Sequence, residues 1–227
     1  METILESCES CKATDTQQQK TLEIACPKCA LFCSILKTYA NANIPVKYWR
    51  IKFDDSFKSD TILKKKFEEL TLNGKIAQTY KDGVCLYFSG SNGVGKTFTV
   101  CNILKKALEK GYGGYYCTLL DIVNRLVYDN ENKIDFRQFL ISVDFLVIDE
   151  FDPRHMGTTT QAASLFGRIL EDVFRTRVQN KMPTFMCTNS LKLDKAFPED
   201  IQRAISSLMN YMKEVPVLGK DLRKEGK

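Results

Sequence analysis

From about Tyr80 onward, short apolar runs alternate with stretches whose hydrophobic residues recur every three to four positions. "GVCLYFSG" is an apolar run bounded by glycine and reads as a strand. "KTFTVCNILKKALEKG" follows, with Val100, Ile103, Leu104, Ala107 and Leu108 at helical spacing and Gly111 as its stop. "GGYYCT" reads as a second strand. "TLLDIVNRLVYD" places Leu119, Ile122, Val123 and Leu126 on one face and offers Thr118 as a cap. "VDFLVIDE" is a continuous apolar strand that ends in two acids. Asp152 and Pro153 suit the start of the next helix as N-cap and first-turn proline, although Gly157 and the neighbouring threonines favour a loop before it. The amphipathic "QAASLFGRILEDVFRTRVQ" and the strand "PTFMCTN" complete the pattern. Strands that are apolar on both faces and alternate with helices predict an α/β fold, a parallel sheet sandwiched by helices.

The first 40 residues differ. "CESCKATDTQQQKTLEIACPKC" is polar and has no strong core period, so the chain divides into an N-terminal cysteine-rich module, 1–40, and a larger domain, 41–227. Cys8-x-x-Cys11 and Cys26-x-x-Cys29 have nearly the spacing of a four-cysteine zinc ribbon, each pair closing a turn that offers two thiolates to one tetrahedral ion. In a segment with little core the metal would supply the folding energy, and four thiolates leave no open position for a substrate. Cys33 is a competing ligand, and unliganded reduced thiols are the alternative to a zinc site. Cys85, Cys101, Cys117 and Cys187 fall in apolar strand or helix contexts and read as core.

Composition limits the rest. With 227 residues and 44% hydrophobic content, the chain has ample material for a buried core. Its net charge of +5 permits a nucleic-acid surface without demanding one. No apolar run approaches the roughly 18 residues of a spanning helix, and "METILESCES" lacks the basic and apolar regions of a secretory signal. Nine cysteines without such a signal fit a reducing, cytoplasmic setting.

The chemistry begins at "GSNGVGKT". Gly90, Gly95, Lys96 and Thr97 satisfy the G-x-x-x-x-G-K-[ST] phosphate-loop pattern, and Ser91, Asn92, Gly93 and Val94 fill it. Glycines let the backbone turn its N–H groups toward phosphates at the start of a helix whose dipole favours anions. Lys96 would reach the β- and γ-phosphates, and the Thr97 hydroxyl would ligate Mg²⁺. Asp149, at the end of "FLVID", can present a carboxylate to the same Mg²⁺ shell, and Glu150 is placed to orient or polarise an attacking water. Asn189, at the end of "PTFMCTN", could contact the γ-phosphate or that water, or simply form the turn after a strand. A guanine-selective site calls for an Asn/Thr-Lys-x-Asp signature. "LKLD" at 191–194 has Leu191 in the first place, so ATP is the better substrate.

These motifs, with "ANIPVKYW" ahead of the first strand, the helix running into "RVQNKMPTFMCTN", and "VLGKDLRKE" near the end, resemble the DnaC/DnaI-type helicase loaders and the related transposition ATPase IstB, all AAA+ proteins. The resemblance covers roughly residues 40–225. It implies an αβα P-loop core of the AAA+, ASCE type, in which Asn189 is the polar sensor and Arg223 a second sensor that reaches the γ-phosphate. It implies assembly into a ring or spiral with ATP held between subunits. Such loaders place an arginine finger in a Ser-Arg-hydrophobic turn. This chain reads "AISSLMN" there, with Ser207 at the expected place and Arg203 one helical turn earlier as a substitute candidate. Some loaders also carry an N-terminal zinc module that docks the helicase.

"KYWRIKFDDSFKSDTILKKKFEEL" mixes Lys47, Arg50, Lys52 and Lys64 to Lys66 with Tyr48, Trp49 and Phe53, a combination that suits single-stranded DNA. Asp54, Asp55, Glu68 and Glu69 dilute the patch, and a solvated amphipathic helix accounts better for "ILKKKFEEL". The leading expectation is an ATPase, binding ATP and Mg²⁺, that engages a replicative DNA helicase and helps place it on single-stranded DNA. The alternatives are an IstB-like ATPase assembling on duplex DNA, and a zinc-stabilised adaptor that binds nucleotide with little turnover.

Overall fold

A computed structural model describes residues 30–53, 61–128, 133–153, 160–190, 193, 197 and 199–222. Five strands form its centre: β1 (Cys85–Gly90), β2 (Gly114–Thr118), β3 (Phe145–Asp149), β4 (Thr184–Thr188) and β5 (Lys213–Val217). All pair in parallel, in the order β2-β3-β4-β1-β5. Ser89 stands opposite Thr188 and Thr118 opposite Asp149, which brings the C-terminal ends of β1, β4, β2 and β3 to one edge of the sheet. The sequence pattern identifies the first four strands. It does not reveal β5, "KEVPV", where Pro216 removes a ladder donor, a substitution that strands tolerate at a sheet edge.

Side chains alternate across the sheet with period two, giving two apolar layers. On one face Leu86, Phe88, Tyr116, Val147, Phe185 and Cys187 are buried with residues of four helices. These are α1 (Ala30–Asn41), α2 (Thr61–Thr71), α3 (Lys75–Asp82) and α4 (Lys96–Glu109). On the other face Tyr87, Tyr115, Cys117, Leu146, Ile148 and Met186 are buried with residues of four more. These are α5 (Leu119–Val123), which runs into a π-turn at Asn124–Tyr128, α6 (Lys133–Ser142), α7 (Thr160–Gln179) and α8 (Glu199–Met209). This is the expected sheet covered by helices on both faces. The core also reaches back through α1, where Leu36 and Tyr39 are fully buried.

Local signals explain the element boundaries. The Thr118 hydroxyl accepts from the Asp121 N–H at 3.1 Å while the Asp121 carboxylate accepts from the Thr118 N–H at 2.8 Å, a capping box that starts α5. Gly111, at φ +86°, ends the α4 region, and the Tyr112 N–H closes it by donating to the Ala107 carbonyl at 3.1 Å. The helix anticipated from Asp152 and Pro153 starts later, at Thr160, in line with the loop that Gly157 suggested. In α2, Leu63, Phe67 and Leu70 are buried while Lys65 is exposed and Lys64 and Lys66 are half-buried at the flanks, as an amphipathic helix requires. Among the described residues no helix is long and apolar enough to cross a membrane.

One buried cation ties together the segments that lead into the neighbouring strands β3 and β4. Arg177, near the end of α7, is 0% exposed. Its guanidinium donates to the carbonyls of Leu140 (2.6 Å) in the last turn of α6 and Val143 (2.7 Å) just after it, to Pro183 (2.7 Å) before β4, and to the Thr184 hydroxyl (2.9 Å). Burial lowers its pKa to about 10, so it remains charged at neutral pH.

Candidate functional site

Between β1 and α4 the backbone makes a tight loop, residues 90–95, that only glycine permits at its ends. Gly90 has φ +152°, and a Cβ there would be driven into the Val217 carbonyl oxygen of β5. Gly95 has φ +99° and caps α4 at its N-terminus. Val94 is buried in the apolar layer, so it contributes backbone to the loop and its side chain to the core. The N-terminus of α4 thus follows directly on this loop, an arrangement suited to an anion.

Lys96 begins α4 and is 7% exposed. Its ammonium donates to the carbonyls of Gly90 and Ser91, both at 2.7 Å, and to Asn189 Oδ1 at 3.0 Å. The strand order explains the last contact. β4 lies between β1 and β3, so the residue after β4 stands between the loop and the acids that end β3. Asp149 is buried at the end of β3, 5% exposed. Its Oδ2 accepts from the Tyr116 hydroxyl and its Oδ1 from the Glu150 N–H, both at 2.8 Å. Glu150 leaves the strand with φ +50°, a left-handed conformation uncommon for a side chain larger than Asn, and its carboxylate is exposed. The following N–H, of Phe151, returns to the Cys187 carbonyl at 2.9 Å and fixes the turn.

These groups line a single cavity of about 460 Å³ with Asn92, Gly93, Gly95, Lys96, Thr97, Asp149, Glu150 and Asn189 on its wall. That volume is within the range of small-molecule and cofactor sites. The Thr97 hydroxyl and the Asp149 carboxylate, opening onto one space, are hard oxygen donors of the kind Mg²⁺ takes, and Mg²⁺ fills its remaining positions with waters and phosphate oxygens. The donor set thus fits a magnesium–triphosphate ligand. When bound, such a cation would neutralise charge on the phosphates.

The cavity has a wall that the sequence did not assign to it: Lys47, Tyr48, Ile51, Phe98, Tyr116, Cys187 and Leu222. Tyr48 is half-buried and lines the cavity together with Thr97. Burial, then the neighbouring Cys101, Asp149 and Cys187, hold its pKa above the ordinary phenol range. Burial and then Asp149 raise that of Tyr116 further. Beneath Tyr48, the buried Lys105 of α4 donates to the carbonyls of Tyr48 (2.9 Å) and Ile51 (2.6 Å), and burial lowers its pKa to about 8. On the opposite side the Leu222 N–H donates to the Gly93 carbonyl at 3.0 Å, so the segment after β5 touches the loop itself.

The aromatic residues that could have stacked on nucleic acid are occupied otherwise. Trp49 is 1% exposed and donates from Nε1 to the Ile44 carbonyl at 2.7 Å, and Phe53 stacks on Phe67 at 4.4 Å. Cys101, Cys117 and Cys187 are buried and Cys85 is half-buried, as their apolar contexts indicated, and burial raises all four thiols. Ser207 donates to Glu171 of α7 at 3.2 Å, and Arg203 is exposed on α8. Arg223 and the quartet Cys8, Cys11, Cys26 and Cys29 lie outside the described residues.

The same fold is found in solved structures of DNA-replication proteins. The chain is similar to DnaI (16% identity, TM-score 0.60, covering 77% of this chain and 93% of that one). It is similar to the DnaC helicase loader (20% identity, TM-score 0.57, 75% and 98% covered). It also resembles a replication initiator DnaA bound to AMPPCP and single-stranded DNA (17% identity, TM-score 0.54), spanning 70% of this chain and 47% of that one. No family model matches the chain, and no curated protein matches it.

Proposed function

We propose that this chain is an ATP-dependent loader that binds a replicative DNA helicase and helps place it on single-stranded DNA. The observation that carries the reading is the convergence of Lys96, Thr97, Asp149, Glu150 and Asn189 on one cavity, within a fold shared with DnaI and the DnaC helicase loader. In this reading the loop amides and Lys96 bind the phosphates. Thr97 and Asp149 hold Mg²⁺, Glu150 orients the attacking water, and Asn189 senses the γ-phosphate. The AMPPCP-bound DnaA of similar fold supports a nucleotide ligand, and its single-stranded DNA supports that substrate for the assembly. Arg223 is assigned to the γ-phosphate from the segment that already meets the loop at Leu222. Assembly into a ring or spiral would place ATP between subunits. An N-terminal zinc module held by Cys8, Cys11, Cys26 and Cys29 would provide the helicase contact.

ATP can alter DNA engagement only through a difference in affinity between nucleotide-bound and nucleotide-free assemblies. Helicase pull-down and transfer of helicase to single-stranded DNA, each with and without ATP, test the reading. A loader retains the helicase and delivers it in an ATP-dependent way. A chain that ignores helicase and coats duplex DNA is instead a transposition-type ATPase.

A further inference from the structure

The two acids that end β3 are held very differently. Glu150 is exposed, whereas Asp149 is buried and has a donor on each oxygen. The donor on Oδ1 is the N–H of the next residue, available to an aspartate in any such turn. The donor on Oδ2 is a side chain from another strand, the Tyr116 phenol at 2.8 Å. Tyr116 stands opposite Val147 in the β2–β3 pairing, and Val147 shares a face with Asp149, so the ring is aimed along that face at the carboxylate.

The backbone of Tyr116 is fixed as firmly as its hydroxyl. β2 is the last strand on its side of the sheet, and its outer edge is met by the turn after α1. The Tyr116 N–H donates to the Ala42 carbonyl at 2.8 Å, and the Asn43 side-chain amide donates to the Tyr116 carbonyl at 2.9 Å. Packing alone would be served by phenylalanine, since the ring lies in the apolar layer at 7% exposure. A buried hydroxyl is costly unless it is bonded, so the oxygen belongs here because of what it holds.

We propose that Tyr116 is a positioning residue for Asp149, whose phenol fixes the carboxylate in the one orientation that a nucleotide-bound divalent cation, or its water shell, must meet. The proposal rests on the ATPase reading of the cavity. A carboxylate has about four lone-pair sites, and the Tyr116 and Glu150 donors take one on each oxygen, defining where the remaining ones point. Losing an outer partner of a metal-binding group typically costs 10- to 100-fold in metal affinity. The effect should therefore appear in the response to Mg²⁺ and not in the fold.

The experiment uses the full chain, wild type and Tyr116→Phe, with a non-hydrolysable fluorescent ATP analogue titrated at a series of Mg²⁺ concentrations and in EDTA. Tyr116→Phe should need about tenfold more Mg²⁺ for half-maximal binding, while its affinity in EDTA stays within about twofold of wild type. In an Asp149→Asn background the same change should have no further effect, because the phenol acts through that carboxylate. An unchanged Mg²⁺ requirement, an equal loss with and without metal, or additive effects in the double variant would each overturn the proposal. If wild-type binding itself ignores Mg²⁺, the ATPase reading falls and the proposal falls with it. A wild type that responds while Tyr116→Phe matches it overturns the proposal alone.

Discussion

The Lys105 ammonium holds the Tyr48 carbonyl from below at 2.9 Å, so the helix that follows the phosphate-type loop also fixes the segment lying across it. Ile51 is held by the same ammonium, and both residues line the cavity. Lys105→Met keeps the apolar stem and removes the donor. We expect it to fold and to bind ATP about tenfold more weakly, the equivalent of one charged hydrogen bond, measured by nucleotide titration.

Lys105 also predicts a pH dependence of stability. Its pKa falls from an ordinary 10.5 to about 8, chiefly by burial, so in between the unfolded chain binds more protons than the folded one. Its contribution is therefore fully present above about pH 10.5 and is lost as pH falls through about 8, a swing on the order of 3 kcal/mol. Denaturant unfolding of wild type and Lys105→Met between pH 7 and 10.5 should show the difference between them shifting toward wild type as pH rises. Parallel curves would refute it.

Hydrolysis and binding should separate at the cavity. Lys96→Ala removes the ammonium from the loop and should abolish triphosphate binding. Glu150→Gln should bind ATP yet turn over at least about 100-fold more slowly, as expected on losing a water-orienting group. Equal turnover in wild type and Glu150→Gln would show that Glu150 does not act on water.

Arg177→Met tests the buried cation. It strips donors from the carbonyls of Leu140, Val143 and Pro183, and each unsatisfied buried group costs about 1–3 kcal/mol. A loss of about 3 kcal/mol or more should lower Tm by roughly 10 °C. ATP affinity of the protein that remains folded should not change, because none of these groups lines the cavity.

The cysteine quartet predicts about one zinc per chain, lost in Cys26→Ser/Cys29→Ser. Elemental analysis and helicase pull-down on that variant should show loss of metal and of helicase together, with ATP affinity unchanged. Metal-free wild-type protein that still binds helicase would remove the zinc module from the mechanism.

The loop and both acids could be read from the sequence because each is a local pattern, a few residues whose types suffice to define the backbone. Thr118 and Gly111 were legible for the same reason. Tyr116, Tyr48 and Lys105 were not, because their roles exist only once distant segments meet. Tyr116 reads as an apolar strand residue, and Lys105 as one of many helix lysines. Arg177 sits within a quoted motif, yet nothing in its neighbours tells that its partners would be carbonyls from the end of α6 and from the residue before β4. β5 was hidden by Pro216, which argues against a strand in isolation and is harmless only at an edge.

Val217 closes over Gly90, and Leu222 is bonded to Gly93, so the shape of the loop depends on residues made long after it. A ribosome completes β1, the loop and α4 well before β5 exists. Until Val217 and Leu222 have emerged and docked, the nascent loop lacks both of these supports, and its grip on a triphosphate should be incomplete. On the proposed reading, nucleotide binding should follow the docking of these last residues, and chains truncated before Val217 should bind ATP more weakly than the full chain.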